Sequence, residues 1–321
     1  MGRSLSLRAE DWKSFIYELP KNFDLAISSD VREEGDVFVR RLSFESLYKS
    51  PYDVNNRVYV DVFIPKERKL SSLLLFVHGL GITKRRKVLY SLLPRKLARL
   101  GVRSAFLTLP YHLERTPAGK PSALWFRDFN DVETAAFFHQ SVLDARVALR
   151  ILNDGSSPFI AGISLGAMIA AITLAMEESL VGGFLILGGA NLERIVWRSL
   201  VRLFMNEEGC SRGECHRHYR IYPRYLREVE RRGSFREVEL PKICFLFDPL
   251  TFAPLLRRKK VVMINSLFDM VIPPKSALEL WEGLGRPEIH WLPSTHGLTV
   301  FFGNRISNII FDKIKGEVSE R

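Results

Sequence analysis

Residues Phe159 to Ala167 read FIAGISLGA, and a helix-like stretch, AMIAAITLAM, continues from them. A short apolar strand therefore meets a helix across Gly162-Ile163-Ser164-Leu165-Gly166. A chain makes that junction on a tight, strained turn, and the two glycines permit it, because a Cβ at 162 or 166 would crowd neighbouring backbone. Such a turn exposes the Ser164 hydroxyl at a strand's carboxyl end. It also aims the Leu165 N–H, at the helix N-terminus, toward the place where an oxyanion would form. Glycine-serine patterns of this length also occur in ordinary turns; the strand before and the helix after favour a nucleophile.

From about residue 36 onward, strand-like and helix-like segments alternate, which predicts an α/β fold with a mostly parallel sheet and helices on both faces. Residues 36–44 and 57–64 alternate apolar and polar, as half-exposed strands at an antiparallel edge do. Residues 73–77, 104–108, 159–161, 183–187, 261–264 and 289–292 are short apolar runs suited to burial on both faces. Helical patterns lie between them near 85–100, 131–153, 166–178, 275–284 and 299–314. One segment breaks this rhythm. Residues 191–258 separate two core strands and are too long for a simple crossover. They are arginine-rich, include the helix-like YPRYLREVERR, and carry Trp197, Phe204, Tyr219, Tyr222 and Tyr225. The expected organisation is a core of residues 1–190 and 259–321 with a cap inserted at 191–258, most of whose aromatics pack it onto the body.

A serine hydroxyl needs a base, an acid to orient that base, and donors for the oxyanion. Asp269, in Asn265-Ser266-Leu267-Phe268-Asp269, follows the buried run VVMI, and His296, in Pro293-Ser294-Thr295-His296-Gly297, follows the last strand. Both should emerge on the sheet edge that bears Ser164. Of the seven histidines, His290 falls inside a strand, His139 inside a helical pattern, and His216 and His218 in the insertion. His78 and His112 follow strands and are the serious rivals. His78 opens His78-Gly79-Leu80-Gly81, whose glycines let backbone amides approach an oxygen, so Leu80 N–H is expected as the second oxyanion donor and His78 as the residue shaping that loop. His78, Gly79, Tyr111 and His112 are expected along the substrate pocket. Asp248 is the rival acid, but no clear core strand precedes it.

In these residues the chain resembles the α/β-hydrolase superfamily of serine esterases and lipases: HGLG after a strand, GISLG at the elbow, then an Asp and a His after the last two core strands. The order Ser164, Asp269, His296 is that superfamily's order. The stretches LPYHLERTPAGKPS, FDPLTFAPLL and MINSLFDMVIPPKSALELW are similar to the branch typified by abhydrolase domain-containing protein eighteen. The resemblance implies Ser164 as nucleophile, His296 as general base, Asp269 as its orienting acid, the amides of Leu80 and Leu165 as oxyanion hole, and no cofactor. The extended HGGG of many lipases is absent.

Composition bounds the rest. With 321 residues, 46% of them hydrophobic, the chain can bury one large core. No run approaches the ~18 apolar residues of a membrane span, and the first residues lack an apolar leader, so no stable membrane insertion and a cytoplasmic setting are expected. The positive charge behind the net +11 is spread along the chain and densest at 84–87 and 257–260, without a nucleic-acid motif, so these runs read as solvated faces and no nucleic-acid partner is expected. Basic residues near the pocket mouth favour a small-molecule ester that is anionic or lipid-like. The three cysteines are Cys210, Cys215 and Cys244, and the C-x4-C-H-x-H run fits no common zinc spacing. A loop with two free or bridged thiols, and no metal, is expected there. An amidase or peptidase, an acyltransferase, and a binding protein on a hydrolase fold are the competing functions.

Overall fold

Nine strands form one sheet among the described residues of the computed structural model, which are 9–67, 70–120, 130–203 and 211–319. Helix α1 (Ala9–Phe15) precedes β1 (Ser28–Glu34) and β2 (Val37–Glu45); the single turn α2 (Asp53–Asn56) then leads into β3 (Arg57–Pro65). The central run is β4 (Ser72–Val77), α3 (Lys84–Arg99), β5 (Arg103–Leu107), α4 (Asp131–Leu152), β6 (Ser157–Ile163), α5 (Leu165–Met176) and β7 (Gly182–Ile186). Next come α6 (Leu192–Trp197), α7 (Arg212–Arg232) and α8 (Pro249–Leu256). The chain closes with β8 (Lys260–Ser266), α9 (Pro274–Gly283), β9 (Glu288–Leu292) and α10 (Gly303–Ser319).

The strand order is β1-β2-β3-β5-β4-β6-β7-β8-β9. Pairing is antiparallel from β1 to β5 and parallel from β5 to β9. Burial explains which segments became inner strands. Every residue of β4, SLLLFV, is buried, whereas β2 buries alternate positions of its first half, as an outer strand with one wet face does. Strand β1, SSDVREE, was not expected from the sequence, because none of its positions is buried. Backbone pairing with β2 holds it, and its charges blunt the open edge.

Helices cover both faces. On one side α4 and α5 share a large apolar cluster with α1, α7 and α8; on the other, Leu97 and Ala98 of α3 meet Ile306, Ile310 and Ile314 of α10. Residues 191–258 lie between β7 and β8. Tyr219, Tyr222 and Tyr225 are spaced to fall on one side of α7, and they bury that side, the Tyr222 ring lying 4.3 Å from that of Phe245. Phe204 and Cys210 lie outside the described residues. Cys215 is in α7, not in a loop as expected, because Ser211 caps that helix by accepting from Glu214 N–H. Among the described residues no helix is long and apolar enough to cross a membrane.

Candidate active site

Strand β6 delivers Ser164 directly to the sheet's carboxyl edge. Its N–H donates to Ile186 O at 2.8 Å, and its backbone sits at φ 57° and ψ −121°, a region that costs a non-glycine residue about 1–3 kcal/mol. The flanking glycines show what holds it there. A Cβ on Gly162 would lie 2.0 Å from Gly166 O, and one on Gly166 would lie 2.2 Å from Val77 O. Only hydrogen at both positions lets α5 fold back over β6 and against the end of β4.

The other two members arrive from the far edge. Asp269 follows β8, and its Oδ1 accepts from the N–H groups of Val271 and Ile272, both at 2.8 Å. Its Oδ2 lies 2.7 Å from His296 Nδ1, and His296 Nε2 lies 3.0 Å from Ser164 Oγ. The carboxylate side chain is 1% exposed and the imidazole 22%, so the acid is sealed while the base reaches the surface. Hydrogen bonding to the carboxylate places the ring proton on Nδ1 and leaves the Nε2 lone pair facing the hydroxyl. The loops bearing acid and base are also bonded to each other. Leu267 N–H donates to Leu292 O (2.9 Å), Phe268 N–H to Ser294 O (3.0 Å), and the hydroxyls of Ser266 and Thr299 meet at 2.7 Å.

The loop after β4 closes the other side. A Cβ on Gly79 would stand 3.3 Å from Ser164 Cβ, so the loop passes directly beside the serine, and Gly81 (φ +76°) turns it toward α3. Leu80 lies between them. Leu165 is the first residue of α5, where an N–H has no partner inside its helix.

His78 and His112 differ from the expectation that they line the pocket: they are 0% and 1% exposed, and their rings meet edge to face at 4.9 Å beneath the loop. Leu109 N–H donates to His78 Nε2 at 3.1 Å, which makes Nδ1 the protonated nitrogen, donating to Gly79 O at 2.8 Å. His112 Nδ1 donates to Pro110 O at 2.7 Å. Both rings brace the loop from behind. Tyr111 is half-buried between Tyr52 and Phe137, and its N–H donates to Asn55 Oδ1 at 2.8 Å.

A polar network beneath this brace was not anticipated from the sequence. Arg115 is 0% exposed, pairs with Asp144 at 2.8 Å, and donates to Asn55 O and Thr108 O. It fixes the strap of residues that supplies Leu109 to His78. An arginine among the apolar residues of LPYHLERTP was the one visible signal, and no local spacing names its partner. The rival Asp248 is fully buried and occupied: it accepts from the N–H groups of Asn191, Leu192 and Leu250 and from Tyr219 OH, tying the starts of α6 and α8 together. His290 pairs with Glu288 on β9, and His218 bonds its own helix. Among the described residues no group of three His, Cys, Asp or Glu could hold a metal.

Burial holds three imidazoles neutral, pushing His112 down to about 4, His139 down to about 3, and His78 well below its ordinary value. Unfolded, each takes a proton near pH 6.5. Between that pH and the folded values the unfolded chain binds more protons, so stability falls as pH drops through this window. His112 and His139 should each remove about 2 kcal/mol by pH 5. Urea unfolding at pH 7.5 and 5 checks the fall, and imidazole NMR resonances that fail to titrate in the folded protein identify the groups; free titration of all seven would contradict it.

No family model matches the chain. It is 26% identical over 259 residues to uncharacterised proteins of two Mycobacterium tuberculosis strains, covering 79% of this chain and 55% of theirs. The chain thus spans about half the length of the curated relatives it matches. Among solved structures it is similar to acetyl xylan esterase 1 from Thermoanaerobacterium sp., with TM-score 0.57 and 16% identity, covering 95% of this chain and 93% of that one. A cold-adapted esterase from an Arctic intertidal metagenomic library gives TM-score 0.55 at 15% identity, covering 88% and 98%. Acylaminoacyl peptidase from Pyrococcus horikoshii gives 0.54 at 16%, covering 83% of this chain and 38% of that one. With the strand order above, these likenesses establish the α/β-hydrolase fold.

Proposed function

We propose that the chain is a serine hydrolase that cleaves a carboxylic ester through an acyl-serine intermediate. One observation carries this reading: the unbroken relay from Asp269 Oδ2 through the His296 ring to Ser164 Oγ, at 2.7 and 3.0 Å. His296 Nε2 takes the hydroxyl proton as Oγ attacks the ester carbonyl, while Asp269 steadies the imidazolium that forms. The N–H groups of Leu165 and Leu80 hold the oxyanion. The proton passes to the leaving alcohol, and water, activated by the same ring, then cleaves the acyl-serine. The esterases among the structural neighbours support an ester as the substrate.

Residues 191–258 serve as the cap in this reading, supported by the bond from Leu200 N–H to Met270 O (2.8 Å), which ties the insertion to the residue beside Asp269. An anionic ester finds less support than the sequence suggested. Lys87 is committed to Asp61 at 2.7 Å, and the exposed Arg86 turns back to Gly81 O at 3.2 Å, which leaves Lys84 and Arg85 as the exposed cations of that run without such a bond. The narrower likeness to the branch of abhydrolase domain-containing protein eighteen rests on the three sequence stretches alone, and residues 121–122 of the first lie outside the described residues.

A fluorophosphonate probe should label the native protein on the peptide containing Ser164, and the protein should hydrolyse a short-chain aryl ester faster than the matched amide. Native protein that takes up no label and turns over neither substrate would refute the assignment.

A further inference from the structure

Large apolar side chains stand exposed on the loops that bear the relay. Phe268 and Met270 flank the sealed Asp269 and are 63% and 62% exposed, and Phe301, in the turn after His296, is 81% exposed. Helix α3 starts just beyond the Gly79–Gly81 loop and adds Val88, Leu89 and Leu92, exposed at 65%, 48% and 54%. Their spacing puts them on one side of that helix, while Pro94, Leu97 and Ala98 face the core. Lys96 Nζ reaches Asn304 Oδ1 at 2.9 Å, which ties α3 to the start of α10, so the stripe and the Phe301 turn share one side of the molecule. The first turn of α3 carries the exposed Lys84 and Arg85. An apolar stripe with cations at one end matches the interior and the charged face of an anionic lipid layer together.

We propose that this rim docks on an anionic phospholipid bilayer, and that the ester reaches Ser164 from that surface. The proposal rests on the reading of Ser164 as nucleophile. The reaction is unchanged: ester and water give carboxylic acid and alcohol, with the acyl C–O bond broken and water supplying the hydroxyl of the acid. Lipid contact removes the rim's exposed apolar area from water, and the cations meet the headgroups.

The test uses the full chain with Ser164→Ala, which binds without turning over, sedimented with vesicles of phosphatidylglycerol and phosphatidylcholine. Leu89→Asp with Leu92→Asp, and separately Phe301→Asp, should each weaken vesicle binding by about tenfold or more. Lys84→Gln with Arg85→Gln should weaken binding to anionic vesicles by about tenfold and leave binding to pure phosphatidylcholine unchanged. In the active background the same substitutions should leave hydrolysis of a soluble short-chain ester within about twofold and the melting temperature within a few degrees. Vesicle affinity indifferent to both apolar variants would overturn the proposal. So would light scattering that shows a dimer dispersed by those variants while vesicles bind no protein. Because binding is read on a protein that cannot turn over, failure of the surface and failure of the Ser164 reading give different results.

Discussion

Alanine at position 164 is expected to lower kcat on a short-chain aryl ester by about a million-fold, with KM and melting temperature little changed. Ser164 Oγ is the atom that His296 Nε2 faces at 3.0 Å, and removing it leaves the base with no proton to take. The fold should not notice. Alanine tolerates φ 57° about as well as serine does, and the backbone bond from residue 164 to Ile186 O needs no side chain. Residual hydrolysis by the oxyanion donors alone should remain above the uncatalysed rate. Turnover within tenfold of the native protein, with the label of a fluorophosphonate gone, would show that another group attacks.

Asn at position 269 should cost about ten-thousand-fold in kcat at neutral pH. The reason is specific to how this carboxylate is held. Oδ1 accepts two backbone N–H groups at 2.8 Å each, from Val271 and Ile272. In Asp269→Asn the amide oxygen must keep those two donors, which turns the NH2 group toward His296 Nδ1. A donor there forces Nδ1 to be the acceptor and moves the ring proton to Nε2, where it faces Ser164 and blocks proton removal. Asp269→Ala makes no such demand and should be the less damaged variant. Steady-state kinetics of the two variants side by side check the argument; equal losses would mean that the carboxylate's charge, not the tautomer it selects, matters most.

The inner sheet and the three members of the relay were legible in the sequence for one shared reason. Strands buried on both faces must be continuously apolar, so β4 and β6 to β8 announce themselves, and the loops after them open on a common edge; β9, expected to be buried on both faces, is instead the half-exposed last strand of the sheet, and only its apolar run gave it away. Strand β1 was not legible, because a charged edge strand is held by backbone pairing and leaves no apolar pattern. Helix α8 was hidden in the same way by two prolines, one at its first position and one inside, which read as turn residues until Asp248 is seen capping it. The sequence placed His112 at the pocket because it follows a strand like the others. Which way a ring points after a strand depends on packing partners far off in the chain, here the rings of His78 and Phe137, and no local pattern encodes them.

The bonds between the Asp269 and His296 loops have a mechanical consequence. Three links, two through main chain and one between hydroxyls, make the Asp269 and His296 loops one unit, while Ser164 is held separately by its own strand and glycines. Any shift of the β6 turn against those two loops would then alter the gap between imidazole and alcohol and leave the Asp269–His296 contact intact. In the reaction proposed above, the imidazole would wait already oriented, and substrate entry would need to restore a single distance.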